Sequence, residues 1–264
     1  YECSYSYIVV KETAIKQEPK WVDTHCHLQL TDYDLLSLSY ENIEYLILPG
    51  VDAESSQKAK DISSKLPVPA YWAAGLHPHD AKNLKTQKND LLKLTADADL
   101  IGETGLDYYR DHSSREEQRE NLIFHLEKAK EFRKPIIIHC RDSFSDTFDL
   151  LKNYTGDFPV ILHSWTGGNK WTKKFIELGV YFSLSGILTY DTAKDLKLSV
   201  KQIPINRLLL ETDTPYLAPG KYKGQNNKPE FIVETAKKLA ELKNMTLEDL
   251  SSVTISNTNT ILGR

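Results

Sequence analysis

Cysteine is scarce in this chain: its 264 residues include three, Cys3, Cys26 and Cys140. An odd, sparse count excludes a disulfide framework and fits a reducing compartment, so a cytoplasmic location is expected. Long apolar runs are also lacking. The longest fall far short of the roughly 20 residues a membrane-spanning helix needs, so no membrane partner is expected. Residues 1–20 hold one short apolar patch, Tyr7-Ile8-Val9-Val10, without the basic-then-apolar order of a secretion signal. They are set apart as an N-terminal extension of unassigned role, and residues 21–264 are read as one domain. Basic charge is not in surplus: 33 Lys+Arg stand against 37 Asp+Glu, a net charge of -4. Overall charge therefore gives no support to nucleic-acid binding, which would need a local basic patch. Internal repeats, a Gly-x-Ser-x-Gly elbow, a Gly-x-x-x-x-Gly-Lys phosphate loop and a Gly-x-Gly-x-x-Gly dinucleotide fingerprint are all missing, which excludes the chemistries that depend on them.

What remains is an ordinary globular composition, 40% hydrophobic and 27% charged, on a chain long enough to bury a full core without staples. Short β-type runs at 21–22, 45–48, 70–74, 100–102, 135–138, 160–162, 181–184 and 207–210 alternate with helical patterns. Ile136-Ile137-Ile138 and Leu208-Leu209-Leu210 are continuously apolar, as strands buried on both faces of a parallel sheet require. The clearest helix is 114–134, where Leu122, Leu126, Ala129 and Phe132 recur at helical spacing. Ser113 or Ser114 is placed to cap it, Glu116 and Glu117 favour its positive end, and Pro135 stops it. Thr246 is placed to cap a final helix, with Asp249 three residues on. Eight strands alternating with helices predict a (β/α)₈ TIM-type barrel; a doubly wound open sheet is the competing arrangement. Nothing in the sequence demands more than a monomer.

Polar groups stand where these strands end. Asp23-Thr24-His25-Cys26-His27 follows the first strand and Gly102-Glu103-Thr104-Gly105 the fourth, while His139 ends the fifth, His163 the sixth and Glu211-Thr212-Asp213 the eighth. In a barrel the carboxyl ends of all strands open on one face, so these residues converge there. Taken singly, each has a plain packing explanation: a satisfied core histidine at His139 or His163, a turn cap at Asp213, a buried ion pair at Glu103. Such explanations are much less probable for all of them together. His25 and His27 are two apart and share a face of an extended segment. With His139, His163, Glu103 and Asp213 they make a nitrogen and oxygen donor set without thiolate, suited to Mg²⁺, Mn²⁺, Zn²⁺ or Fe²⁺. A carboxylate such as Glu103 can bridge two cations about 3.5–4 Å apart. Cys26 and Cys140 alternate away from their ligand neighbours and are assigned to packing.

A second tier lies near the same face. Gly75-Leu76-His77-Pro78-His79 follows the third strand, and Arg110, Arg141 and Lys223 are available to an anionic substrate. Tyr108, Tyr109, Trp165 and Tyr216 are equally suited to stacking on bases or to roofing the barrel. The Gly-bearing basic run 219–227 reads as a loop over the site.

The blocks Asp23-Thr24-His25-Cys26-His27-Leu28, Gly75-Leu76-His77-Pro78, Gly102-Glu103-Thr104-Gly105-Leu106-Asp107-Tyr108, Gln118-Arg119, His139-Cys140-Arg141-Asp142, His163-Ser164-Trp165-Thr166-Gly167 and Glu211-Thr212-Asp213-Thr214-Pro215-Tyr216-Leu217, in this order and spacing, closely resemble the TatD-related deoxyribonuclease family of amidohydrolase-like metal-dependent hydrolases. The resemblance implies a TIM-type barrel, two divalent cations per chain, hydrolysis of DNA phosphodiesters and the same six ligands. Three departures concern substrate preference rather than ligands. Trp165 stands where the family usually has Phe, in His-Cys-Phe-Ser-Gly. Lys223-Gly224 replaces Arg-Gly, keeping charge but losing the fork of the guanidinium. Leu122 and His125 stand where Phe and Gln are common.

The expected activity is therefore that of a metal-dependent deoxyribonuclease acting on single-stranded DNA or duplex ends. His25 and His27 would hold one cation, His139 and His163 the other. Glu103 would bridge them, Asp213 would bind metal and handle the attacking water, and His77, Arg141 and Lys223 would hold phosphate. The rivals are a small-molecule amidohydrolase or phosphoesterase on the same barrel, many of which carry a carboxylated lysine at the Glu103 position, and a non-catalytic metal-binding protein.

Overall fold

A computed structural model of the chain describes residues 18–264 except Asp111 and Thr155; residues 1–17 of the N-terminal extension lie outside the described part. Eight parallel strands run in sequence order: β1 (Trp21–Asp23), β2 (Ile43–Pro49), β3 (Ala70–Ala74), β4 (Leu100–Asp107), β5 (Ile136–Arg141), β6 (Val160–Leu162), β7 (Tyr181–Leu184) and β8 (Leu208–Leu210). The ring closes where Thr24 N donates to Leu210 O (3.0 Å). The helices are α1 (Ala53–Ser63), α2 (Leu84–Asp97), α3 (Arg115–Phe132), α4 (Phe144–Leu151), α5 (Asn169–Glu177), α6 (Lys194–Val200), α7 (Ile232–Lys243) and α8 (Leu247–Leu262). Between β1 and β2 only a single 3₁₀ turn, Leu28–Leu30, intervenes, while α7 and α8 both follow β8. The fold is thus the expected barrel with its first helix displaced to the end of the chain. No helix among the described residues is long and apolar enough to cross a membrane.

Two apolar layers result from strand alternation. Ile47, Ala73, Leu100, Ile137, Ile161, Tyr181 and Leu209 cluster with Ile261 of α8, so the barrel is a packed core whose base α8 plugs. Their neighbours Leu46, Leu48, Ile136, Ile138, Leu208 and Leu210 pack instead with helix residues such as Leu122, Leu126 and Leu239. Because side chains repeat every second residue, the positions one step above the inner layer share its direction: His139 above Ile137, His163 above Ile161, Glu211 above Leu209. One period of pleat therefore separates dry core from polar floor.

Helix α3 begins as its sequence dictates. Ser114 is the cap that is used: its hydroxyl accepts from Glu117 N (3.2 Å) while the Glu117 carboxylate accepts from Ser114 N (2.7 Å), a reciprocal capping box. Ser113 instead donates to His79 O (2.8 Å). Thr246 caps α8 by accepting from Asp249 N (3.1 Å).

Two expected boundaries need correction. β4 continues to Asp107 rather than ending at Gly102, and β5 continues to Arg141 rather than ending at Ile138. The two strands stay paired through Gly105↔His139 and Asp107↔Arg141, so Glu103 lies within β4 and not after it, and His139 stands two residues before the end of β5. Gly105 permits this pairing: at φ +148° a Cβ there would stand 1.9 Å from His139 O, a conformation and clearance that only glycine tolerates.

Candidate metal centre

The rim of the barrel is stitched first by backbone and buried polar groups. Asp213 N donates to His25 O (2.8 Å) and His27 N to Thr214 O (2.7 Å). Asp23 accepts from Thr212 N (2.9 Å) and Thr212 Oγ1 (2.6 Å), and its carboxylate also faces His25 N (3.3 Å). These bonds lock the chain after β1 to the chain after β8. Burial pushes Asp23 up to about 7 despite these donors. Asp213 is held at φ +61°, in the left-handed region that Asp tolerates better than most residues.

On this frame the six expected ligands converge around Glu103. Its Oε2 lies 3.2 Å from His25 Nε2 and 3.4 Å from His27 Nε2. Its Oε1 lies 3.0 Å from His139 Nδ1 and 2.9 Å from His163 Nε2. Asp213 Oδ1 stands 3.5 Å from His27 Nε2 and 3.7 Å from His25 Nε2. The two oxygens of one carboxylate thus address two separate imidazole pairs. His77 joins the second pair, with Nε2 3.4 Å from Glu103 Oε1.

The outer ring nitrogens decide the tautomers. His27 Nδ1 is 2.9 Å from Pro49 O, which only accepts, so Nδ1 carries a proton and Nε2 is the nitrogen turned inward to Glu103 and Asp213. His139 Nε2–H donates to Asp107 (3.1 Å), and His163 Nδ1 faces Glu211 (3.3 Å). Inward, His25 Nε2 and His27 Nε2 are 3.0 Å apart, and His139 Nδ1 and His163 Nε2 are 3.1 Å apart. Two lone pairs cannot face each other at such distances, so a proton or a cation must lie between the inward nitrogens of each pair.

Charge follows from the same contacts. Burial opposes the charged form of His27, yet Asp213 and Glu103 outweigh it and hold the group up at about 9. His139 and His163 are raised in the same way, against burial, by Asp107 and Glu103 and by Glu103 and Glu211 respectively. Burial, reinforced by His163, takes His25 down to about 3, and burial takes His77 down to about 4. Glu103 is held well below the carboxylate range, against burial, by the surrounding histidines. Sequestering such charges costs several kcal/mol per ion, whereas an aliphatic side chain in their place would contribute roughly 1.5–3 kcal/mol by burial. Packing therefore does not account for this cluster. Its donors, nitrogen and carboxylate oxygen, fit a borderline or hard divalent cation, and the groups His25–His27–Glu103 and His77–Glu103–His139 each lie close enough to hold one.

The centre forms the floor of a cavity of about 820 Å³ lined also by Asp80, Tyr109, Arg110, Arg141 and Tyr216. Of the three phosphate candidates, His77 and Arg141 line it. Lys223 does not; it is exposed, with its ammonium 5.9 Å over Tyr190. The 219–227 run lies along the rim because Asn227 Nδ2 donates to Thr212 O and Tyr216 O (both 2.7 Å) and Gly220 N to Thr189 Oγ1 (2.7 Å). Trp165 is core rather than roof: it is buried, packs on Phe144, Phe175 and Phe182, and donates to Thr172 Oγ1 (2.9 Å). A Cβ on Gly167 would strike its ring at 2.1 Å, so the large aromatic depends on that glycine. Cys26 and Cys140 are buried free thiols, as alternation predicts.

Sequence reasoning missed Asp107 and Glu211 as partners of the histidines. Asp107 accepts from His139 and from His79 Nε2 (2.9 Å), and these bonds hold it below the carboxylate range against burial. Gln118 fixes its backbone from both sides, accepting from Asp107 N (2.8 Å) and donating to Asp107 O (3.1 Å). The signal was parity: residues 103, 105 and 107 share a face once β4 is given its full length.

Similarity to known proteins agrees with this geometry. The sequence matches the family model for TatD-related DNases over residues 22–263. YcfH of Escherichia coli strain K12, described as an uncharacterized metal-dependent hydrolase, is 33% identical over 257 residues, spanning 89% of this chain and 93% of YcfH. YabD of Bacillus subtilis strain 168, described likewise, is 34% identical over 245 residues, with 89% and 96% covered. The crystal structure of YjjV, a TatD homologue from E. coli K12, superposes with a TM-score of 0.83 at 26% identity, covering 92% of this chain and 98% of that one. A match that takes in all of the barrel but its first residue, and all six candidate ligands, places the chain in the TatD-related DNase family, as a metal-dependent hydrolase.

Proposed function

We propose that the chain is a deoxyribonuclease that hydrolyses DNA phosphodiesters at a two-cation site. The observation that carries this reading is the division of Glu103, one oxygen to each imidazole pair, on the floor of an open cavity. His25, His27, Asp213 and Glu103 Oε2 would hold one cation; His139, His163 and Glu103 Oε1 would hold the other. When bound, such a pair lowers the pKa of water and offsets charge on phosphate oxygens. Asp213 faces both the first imidazole pair and the cavity, and its carboxylate takes the proton of the attacking water. The Arg141 guanidinium, on the cavity wall with Arg110, supplies paired donors to a phosphate. His77, kept neutral by burial, donates or accepts one further bond there. The openness of the cavity speaks against a non-catalytic reading, since structural metal sites are closed.

The test is a substrate panel of DNA, simple phosphate esters and cyclic amides, run with Mg²⁺, Mn²⁺ or Zn²⁺. Cleavage of DNA that a chelator stops and added metal restores is the expected result. Turnover of amides with DNA untouched would replace the nuclease by the amidohydrolase reading.

Asp107 gives an independent check on the second cation. Asn at this position keeps the shape but not the charge that anchors the outer N–H of His139. Affinity for one of the two cations is expected to fall about 10–100-fold while the other is retained, as read by equilibrium dialysis with Mn²⁺ or Zn²⁺. An equal loss at both sites, or none, would disconnect Asp107 from cation binding.

A further inference from the structure

Four imidazoles surround Glu103 in two pairs, and the outer nitrogens of three have an acceptor. His27 Nδ1 meets Pro49 O, His139 Nε2 meets Asp107 and His163 Nδ1 meets Glu211. His25 is the exception. Its Nε2 is the inward nitrogen, 3.2 Å from Glu103 and 3.7 Å from Asp213, while its Nδ1 is buried and has no partner among the described residues. With a cation on Nε2, the neutral ring carries its proton on Nδ1. That N–H then needs an acceptor, because native interiors pair nearly all of their buried polar groups.

Glu211 holds a spare acceptor in the same place. It stands directly after β8, and its Oε1 is fully used, accepting from Ser164 N (2.8 Å) and facing His163 Nδ1 (3.3 Å). Its Oε2 is buried and unpartnered among the described residues. His25 and Glu211 are both completely buried. The His25 ring stacks on His163, 4.0 Å between centroids at 15°, and His25, His163 and Glu211 each offer a ligand atom within 4.8 Å of the other two. The spare donor and the spare acceptor thus share one buried cluster without bonding directly. A third cation does not suit the cluster, since it would take the outer nitrogens of rings whose inward nitrogens already serve the centre. A water does: it accepts from an N–H and donates to a carboxylate oxygen, and a single one spans two groups about 5 Å apart.

We propose that one buried water joins His25 Nδ1–H to Glu211 Oε2, so that Glu211 is a positioning residue for a histidine of each cation pair: His163 directly, His25 through the water. This inference rests on the two-cation reading above and adds a residue that couples its two positions. A carboxylate behind a ligand imidazole fixes the ring and raises its basicity. Asp107 does this for His139 alone, whereas Glu211 would do it on both sides of Glu103.

The test uses the zinc-loaded full chain with its histidines labelled with ¹⁵N. Equilibrium dialysis of Glu211→Gln is expected to show both zinc affinities about 10–100-fold weaker, in contrast to the single weakened site of Asp107→Asn. At saturating zinc, the imidazole N–H protons of His25 and His163 are expected to exchange with solvent faster in Glu211→Gln, and that of His139 to be unchanged; Asp107→Asn should give the reverse. A general loosening of the fold would move all three together. A high-resolution crystal structure of the unmodified, zinc-loaded protein needs no variant. It should show a water within about 2.7–3.2 Å of both His25 Nδ1 and Glu211 Oε2. The inference is overturned if His25 Nδ1 is found on another acceptor, if no water lies between the two atoms, or if Glu211→Gln weakens one site or neither. The two readings fail separately. Two cations bound with no bridging water remove the bridge alone. A bridging water in a protein that binds a single zinc removes the two-cation reading alone.

Discussion

Replacing Glu103 by glutamine is expected to lower the rate of DNA hydrolysis by at least about a thousandfold, the largest loss of any single substitution in the chain. The amide has the volume of the carboxylate but neither its charge nor its second acceptor. It would turn an –NH₂ toward one of two imidazole pairs whose inward nitrogens now lie 2.9–3.4 Å from carboxylate oxygen. Metal content measured beside the rate should drop as well, because both cation positions draw on the same residue. A variant that keeps its metal and stays within tenfold of the original rate would remove Glu103 from between two cations and dissolve the two-site reading.

Asp213→Asn is expected to follow, with a loss of about a hundredfold to ten-thousandfold in kcat. This substitution isolates charge from conformation. Asp213 sits at φ +61°, and asparagine occupies that region as readily as aspartate, whereas alanine would add strain of roughly 1–2 kcal/mol. The loss should therefore appear in kcat without a matching fall in melting temperature. In the proposed site Asp213 would give an oxygen to the first position only, beside His25 and His27, so much of the metal should remain bound. A kcat within about threefold of the original would assign the proton of the attacking water to a different group.

Much of this was legible in the chain. Continuous apolar runs such as Leu208-Leu209-Leu210 marked buried parallel strands, and the boundaries at 70–74, 160–162 and 181–184 are those observed. The convergence of the six candidate ligands was legible because a barrel brings strand ends together whatever their separation in sequence. The misreadings have one cause. Glu103 looks like a loop residue and His139 like the last residue of its strand, since polar groups usually end a buried strand, yet here both strands continue as walls of the site. Ending β4 early hid the parity that links Glu103 to Asp107, and so hid the carboxylate that anchors His139. Lys223 was drawn to the mouth by its charge and loop composition, but the bonds of Asn227 and Gly220 that hold its loop on the rim are long-range and leave no mark in local sequence.

The sequence by itself determined the class of fold, the candidate donors and the metals their chemistry suits, because pleat parity, strand periodicity and side-chain type are properties of short stretches. Tertiary structure alone decided which oxygen of Glu103 meets which histidines, what holds the outer nitrogens of His27, His139 and His163, and which aromatic rings stay open at the mouth. Those outcomes depend on contacts between strands far apart in the chain, and only the closed barrel brings them within hydrogen-bonding distance.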